Sequence, residues 1–195
     1  MLFYNPWFAV NSRGEIIVID EEKITVIYST GESKDVMFPD PTENNVIDQC
    51  RMDVAVDSND NVYAVRWLNK RRDKNGSDKK DFELCAYDKN YNIKHVSVLD
   101  FLGGDFGHVK ITVDKNQNLI IMLTNWNDQV YICETTGKLK YQFKRDEDYL
   151  RSLSISNNKG IMIESDDLDA VQIRSTEEKL QQCYIKDIAV RISVS

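Results

Sequence analysis

The residues best suited to bind a ligand lie between positions 66 and 80. Seven basic and two acidic side chains there leave a local excess of five positive charges. The basic side chains that could contact phosphates include Arg66, Lys70, Arg71 and Arg72. Trp67 stands among them and could stack on a base. The segment therefore predicts RNA binding as one function, and a solvated insertion without a partner is the alternative.

Two tryptophans stand at matching places, each at the end of a short apolar run. Trp67 follows Arg66, and Trp126 follows Asn125. Matching positions in neighbouring units would bring the two rings close together. Exposed tryptophans of this kind could anchor a peptide or stack on a base. The alternative is that each ring packs against the connection that follows it.

A glycine-containing segment at 100–108 joins two further apolar runs. It holds Phe101 and Phe106 on either side of Gly103 and Gly104, whose backbones can adopt turns that other residues resist. The two rings predict either a hydrophobic plug at a junction or a small apolar binding patch. The segment is not a phosphate-binding loop, because neither GxxxxGK[ST] nor GxGxxG is present.

Signals of catalysis are few. The chain has two histidines, His95 and His108, and neither HExxH nor GxSxG occurs. Asp20, Asn125 and Asp166 follow apolar runs and carry the oxygen ligands that Ca²⁺ prefers. These three residues could therefore hold a calcium ion. Otherwise we expect no enzymatic activity, no metal and no cofactor.

These residues must be positioned by a repeated unit. Four segments share one pattern, a β-rich run, a polar turn and a second β-rich run: Phe8–Val18, Val54–Val65, Ile111–Met122 and Leu153–Ile163. Their spacings are 46, 57 and 42 residues, measured at Val10, Val56, Val113 and Ile155. Such periods are typical of propellers and solenoids. A third run, another polar turn and a fourth run follow in each unit.

Four strands per unit predict an all-β fold, a β-propeller-like array of about four blades. A β-sandwich is the competing fold, but it does not require the same strand–turn–strand sequence to recur. The whole chain, 1–195, is expected to be one domain. Its units cover about 6–38, 51–99, 108–143 and 150–185, and a fifth begins at 187–195.

Two units resemble the NHL repeat. They are VAVDSNDNVYAV at 54–65 and ITVDKNQNLIIM at 111–122, the latter followed by QVYICETTGKLKYQF at 129–143. Units one and four match less well, and Ser154-Ile155-Ser156 stands where the family has Ala-Val-Asp. The resemblance implies a propeller. NHL domains occur in tripartite-motif ubiquitin ligases and in RNA-binding regulators, and related propellers include lactonases and lyases. Propeller lactonases hold a central metal ion with Glu, Asn and Asp, so the resemblance implies a calcium-dependent, lactonase-like hydrolase that uses Asp20, Asn125 and Asp166 as a distant alternative.

The leading functional prediction is a scaffold that binds a protein or peptide. In a propeller, the loops between second and third strands and between blades share one face, here called the upper face. Rigid blades present these variable loops, which makes that face the expected binding surface. The net charge of −7 argues against attraction of nucleic acid over the whole surface, so RNA binding through 66–80 is the alternative.

The array is expected to be incomplete, because NHL-like propellers usually close with five or six blades. It is then a fragment of a larger propeller, or a partner chain closes it, with self-association through open blade edges as one route.

We expect a cytoplasmic protein with free thiols and no membrane partner. Cys50, Cys85, Cys133 and Cys183 lie far apart without CxxC spacing, and no apolar run approaches the length of a membrane span.

Overall fold

The computed structural model describes residues 7–20, 23–42, 46–70, 80–102, 108–114, 116–124, 129–144, 150–155, 160–165 and 171–175. Over these residues the chain forms fifteen β-strands. No helix long and apolar enough to cross a membrane occurs among them.

The strands fall into four sheets, which we number blades 1 to 4 in chain order. Blade 1 contains β1 Trp7–Val10, β2 Ile16–Ile19, β3 Lys23–Ile27 and β4 Ser33–Met37. Blade 2 contains β5 Val46–Val56, β6 Val62–Lys70, β7 Lys80–Tyr87 and β8 Ile93–Val98. Blade 3 contains β9 His108–Val113, β10 Asn118–Thr124, β11 Gln129–Glu134 and β12 Leu139–Lys144. Blade 4 contains β13 Leu150–Ile155, β14 Gly160–Ser165 and β15 Val171–Ser175.

Each blade is an antiparallel meander in which strands pair in chain order. The first strands, β1, β5, β9 and β13, contact one another from blade to blade. The blades are thus arranged radially around their first strands, and the predicted all-β, propeller-like array is confirmed. Over the described residues the array is not closed into a ring. The fourth strand predicted near 180–185 and the unit beginning at 187 lie outside the described residues.

Six hairpin turns of one kind join the first to the second and the third to the fourth strands of blades 1 to 3. In each, the first residue's N–H donates to the fifth residue's carbonyl, and the fourth residue's N–H donates back to the first. The fourth residue has positive φ in every case: Gly14, Gly31, Asp60, Tyr91, Gln117 and Gly137. An Asn or Asp at the first position accepts the N–H groups of the third and fifth residues in four of these turns. The polar turn chemistry of the sequence is therefore the chemistry that forms the turns.

The core consists of two apolar layers, one on each face of blade 2. Ile17, Ile24 and Val26 of blade 1 pack in one layer with blade 2 residues such as Val62 and Cys85. The other layer joins Val65, Phe82 and Leu84 of blade 2 to Leu119 and Ile121 of blade 3. In β6, Val62 to Val65 are all buried because blade 2 has a neighbour on both sides. Cys85 and Cys133 are buried within these layers as thiols and are not joined in a disulfide bond.

Blade 2 corrects the predicted loop boundaries. Residues 46–50 were expected between the units at 6–38 and 51–99, and 66–70 in a basic loop, but they lie in β5 and β6. They pair with each other, with Val46 opposite Lys70 and Gln49 opposite Leu68, and the register shifts at two places. Polar residues interrupt the apolar pattern in both segments, so neither segment is recognisable as a strand from its own sequence. Each supplies backbone hydrogen-bond partners to the other, and this pairing makes them strands.

Candidate functional site

The upper end of blade 2 is a three-stranded antiparallel ribbon. We define the ribbon as residues 46–51, 66–70 and 80–82, in which Asn69 of β6 lies opposite Lys80 of β7. The strands β5, β6 and β7 that contribute to it are 8 to 11 residues long, whereas the strands of blade 1 have 4 or 5 residues. The ribbon carries the basic segment 71–79, which lies outside the described residues.

A buried ion pair stands at the base of this ribbon. The side chains of Arg66 and Glu83 are 0% and 1% exposed. Arg66 Nε and Nη2 donate to one carboxylate oxygen of Glu83 at 2.8 and 2.5 Å. The other oxygen accepts the backbone N–H of Thr42 at 3.1 Å and also the Thr42 hydroxyl. Every oxygen of the buried carboxylate is thus engaged, as a buried charge requires.

The same guanidinium holds the connection between blades 1 and 2. Arg66 Nη1 donates to the carbonyl of Pro39 at 2.6 Å, and Nη2 donates to that of Asp40 at 3.2 Å. We correct the sequence prediction here, which placed Arg66 in an exposed basic loop. Its side chain points into the protein because Glu83 lies directly opposite it in the β6–β7 pairing. The nearby run of lysines and arginines concealed this role.

The other residues of the predicted upper binding surface divide into two groups. Trp67 is half-buried and packs against the layer between blades 2 and 3. Lys70 ends β6, and its side chain lies outside the description. The residues that lie wholly outside the described ranges are Arg71, Arg72, Phe106, Asn125 and Trp126. The predicted proximity of Trp67 and Trp126 therefore stays a prediction.

Phe101 lies at a groove between blades 2 and 3. Its ring packs against Tyr131 of blade 3, with ring centroids 5.3 Å apart and planes tilted by 40°. It also lines a surface pocket of about 370 Å³, which we call the 2–3 groove. The groove is lined by Ser97 and Val98 of β8, by Asp100 and Phe101 just after it, and by Thr136, Gly137, Lys138 and Leu139 of blade 3. Phe101 thus contributes both to the junction core and to the groove surface.

A buried charged group that the sequence analysis missed lies on the inner strands. Asp53 of β5 is 7% exposed, and its Oδ2 accepts the backbone N–H of Ile111 at 2.8 Å. Burial raises the pKa of Asp53, and that hydrogen bond and the charge of Lys110 oppose the rise. Burial likewise lowers the pKa of Lys110, and Asp53 opposes this. Groups with perturbed pKa values occur both at proton-transfer sites and in ion pairs that only stabilise the fold. The only sequence signal was an aspartate directly before an apolar run.

A second polar cluster joins blades 1 and 2 on the lower face, the side of the six hairpin turns. Glu15 Oε2 accepts hydrogen bonds from Arg13 Nη2 and Asn11 Nδ2, both at 2.6 Å, and from the Tyr91 hydroxyl at 2.5 Å. Asp60 accepts the backbone N–H of Ser12 at 2.8 Å. Tyr91 has φ of 67°, a conformation that is costly for a bulky residue. Its hydrogen bond to blade 1 offsets that cost, so the cluster pins the two blades together.

This cluster predicts a loss of stability in acid. The Arg13 guanidinium lowers the pKa of Glu15 from 4.5 to about 2, with further hydrogen bonds from Tyr91 and Asn11 and a counteracting effect of burial. A carboxylate with a depressed folded-state pKa stabilises the fold above its unfolded pKa, and this contribution is lost as the pH falls toward the folded pKa. We expect Glu15→Gln to remove on the order of 1–2 kcal/mol at pH 7 and to flatten stability between about pH 5 and 2. Urea unfolding across that pH range measures both effects.

Glu32 provides the matched control for that experiment. It occupies the same fifth position of a turn in blade 1 but is exposed. Glu32→Gln should retain the wild-type acid dependence. An unchanged acid dependence in Glu15→Gln would contradict the assignment.

The proposed calcium ligands do not form a site among the described residues. No group of three His, Cys, Asp or Glu side chains that could hold a metal ion occurs in them. Asp20 is exposed, and its carboxylate accepts the backbone N–H of Lys23 at 2.9 Å. Asn125 and Asp166 lie outside the described ranges. His95 Nε2 lies 3.1 Å from the carbonyl of Thr135 in blade 3, an inter-blade contact.

The similar solved structures are β-propellers. A streptogramin B lyase aligns with a TM-score of 0.56 at 14% identity, over 92% of this chain and 53% of its own. A putative gluconolactonase aligns with a TM-score of 0.52 at 12% identity, over 85% of this chain and 58% of its own. The virginiamycin B lyase of Staphylococcus aureus aligns with a TM-score of 0.50 at 12% identity, over 93% and 69% of the two chains. No protein-family profile and no curated protein sequence matches the chain.

At these identities the comparisons establish the fold, and the chain spans little more than half the length of the first two propellers. They also correct one expectation. The absence of short catalytic motifs led us to expect a chain without enzymatic activity, but three of the similar propellers are named as enzymes. The expectation was wrong. Catalytic residues that come from separate blades form no contiguous motif, so the absence of such motifs does not argue against an enzyme.

Proposed function

We propose that this chain is a recognition domain that binds an extended protein or peptide segment, with the 2–3 groove as part of its binding surface. The groove supports this directly. Its volume of about 370 Å³ falls within the range of ligand pockets. Its apolar lining includes Val98, which is 41% exposed, and the half-buried Phe101 and Leu139. The same proposal assigns the repeat to the NHL type, because residues 54–65 and 111–122 resemble it.

The chemistry around the groove fits an extended peptide. Asp100 and Lys138 stand on its opposite sides, so a bound segment meets charges of both signs. Over the described ranges, β8 is the last strand in the order of blade 2, and one edge of its backbone has no neighbouring strand in that sheet. Peptides bind to such edges by adding a strand, and side-chain pockets beside the edge supply specificity.

The groove is tested by peptide selection followed by mutation. Peptides selected from a displayed random library on the wild-type protein should lose at least about tenfold in affinity for Val98→Asp, because the new carboxylate must be desolvated on binding. Met37→Asp is the matched control, since Met37 lies on β4 of blade 1, away from both the groove and the β8 edge, and is 64% exposed. Fluorescence anisotropy with the labelled peptides measures the change. Equal binding to Val98→Asp and the wild type would contradict the proposal.

The RNA-binding alternative now depends on fewer groups. Arg66 is ion-paired inside blade 2 and is not exposed to contact a phosphate. The alternative therefore depends on Lys70, Arg71 and Arg72 and the lysines that follow them. No contact among the described residues favours it over the peptide-binding function.

A further inference from the structure

Blade 1 presents an apolar face that no other blade covers within the described part of the chain. Phe8, Val10 and Ile16 on this face are 64%, 54% and 40% exposed. Burial along β2 alternates, with Ile17 and Ile19 buried, because the described residues supply a neighbour to only one face of blade 1. This contrasts with the four consecutive buried residues at the start of β6 in blade 2.

Register identifies the same face in the following blades. Val10 pairs with Ile16, as Val56 pairs with Val62 and Val113 with Leu119. The counterparts of Ile16 are therefore Val62 and Leu119, and both are 0% exposed.

The counterparts of Phe8 are Val54 and Ile111, which are 4% and 7% exposed. In blades 2 and 3 this face is buried in the layer shared with the preceding blade. The open face of blade 1 thus has the composition of an inter-blade interface.

The lower turns give a second, independent sign. In blades 2 and 3, the fourth residue of the turn between the third and fourth strands lies against the preceding blade. Tyr91 donates a hydrogen bond to Glu15 of blade 1. A Cβ added to Gly137 would lie 3.0 Å from the Cβ of Ser97 in blade 2. The counterpart in blade 1 is Gly31, and no atom lies within 4 Å of the corresponding point. Among the residues that the structure describes, a neighbour is therefore missing from the turn as well as from the sheet face.

We propose that the open face of blade 1 is covered by the last blade of a second copy of this chain. An array of consecutive blades has two unlike ends, and head-to-tail contact between unlike ends closes a ring when the rotation allows it. The four described blades of two copies related by a two-fold rotation make eight blades, which is within the range that propellers adopt. Both ends of each copy are then covered by the type of contact already seen between blades 1 and 2.

The solution mass tests this interface. Light scattering coupled to size exclusion over a dilution series should give twice the chain mass of 22.6 kDa for the wild type. The double variant Phe8→Asp, Val10→Asp should give a single chain mass with an unchanged circular dichroism spectrum, because both side chains are exposed within one copy. Ile93→Asp, on the outer strand of blade 2, should keep the doubled mass. A wild type of single chain mass, an open polymer, or a double variant of doubled mass would overturn the proposal.

Discussion

Arg66→Met is expected to lower the free energy of unfolding by about 3–5 kcal/mol, because it leaves the buried carboxylate of Glu83 without its charge partner. The pair is fully buried, and Arg66 also donates to the carbonyls of Pro39 and Asp40. The substitution therefore removes the ion pair and releases the connection between blades 1 and 2. Urea unfolding monitored by circular dichroism measures the loss.

Two further variants distinguish the effect of leaving a buried charge unpaired from the effect of breaking an ion pair as such. The double variant Arg66→Met, Glu83→Met should cost less than the sum of its single variants, because no uncompensated charge remains. Lys23→Met breaks the ion pair with Asp35, whose side chains are 33% and 49% exposed, and should cost no more than about 1 kcal/mol. A loss below about 1 kcal/mol in Arg66→Met would contradict the assigned structural role.

Gly137→Ala is expected to destabilise the protein by about 2–4 kcal/mol through backbone strain and overpacking together. Gly137 has φ of 89°, a conformation that favours glycine. A Cβ at this position would lie 3.0 Å from the Ser97 Cβ and 3.2 Å from a Leu99 methyl group. These atoms belong to the contact between blades 2 and 3, so they cannot move aside freely.

Gly31→Ala isolates the contribution of the inter-blade contact. Gly31 has φ of 87° at the same turn position, and a Cβ there would meet no atom within 4 Å. This variant should show only the backbone cost of about 1–2 kcal/mol. The difference between the two variants in thermal or urea unfolding measures how tightly blades 2 and 3 pack. Equal losses would show that Gly137 is needed for its backbone conformation alone.

The two results bear on function because the same contacts form the proposed binding surface. Gly137 lines the 2–3 groove together with Phe101. A rigid junction holds a groove in its binding geometry before the ligand arrives, which reduces the entropy lost on binding. The Arg66–Glu83 pair similarly fixes the base of the ribbon that carries the basic segment 71–79.

Most of the strands could be predicted because their signals are local. Asn11, Asp57 and Asp114 begin turns by accepting hydrogen bonds from the backbone two and four residues ahead, which is visible in four or five letters of sequence. Alternation of apolar residues then identifies the flanking strands. Recurrence of this unit indicated the propeller, since each blade buries its faces against its neighbours.

The candidate site was predicted less well because its contacts join distant parts of the chain. The sequence placed Arg66 in an exposed basic segment. Its ion-pair partner Glu83 lies on the next strand, and its other hydrogen-bond acceptors lie in the connection after blade 1. Phe101 was recognised as an aromatic residue at a junction, but the groove also needs the turn at 136–138 of blade 3. Asp53 gave almost no signal because its partner is a backbone N–H in another blade.

Local chemistry therefore determined the strands, the turns and the repeated blade, because hydrogen bonding and apolar alternation act over a few residues. Tertiary structure decided which of these residues are available to a ligand. Blade 2 is buried on both faces and blade 1 on one, so equivalent positions such as Val62 and Ile16 differ in exposure by 40 percentage points. No local pattern distinguishes them, because exposure depends on whether another blade lies alongside.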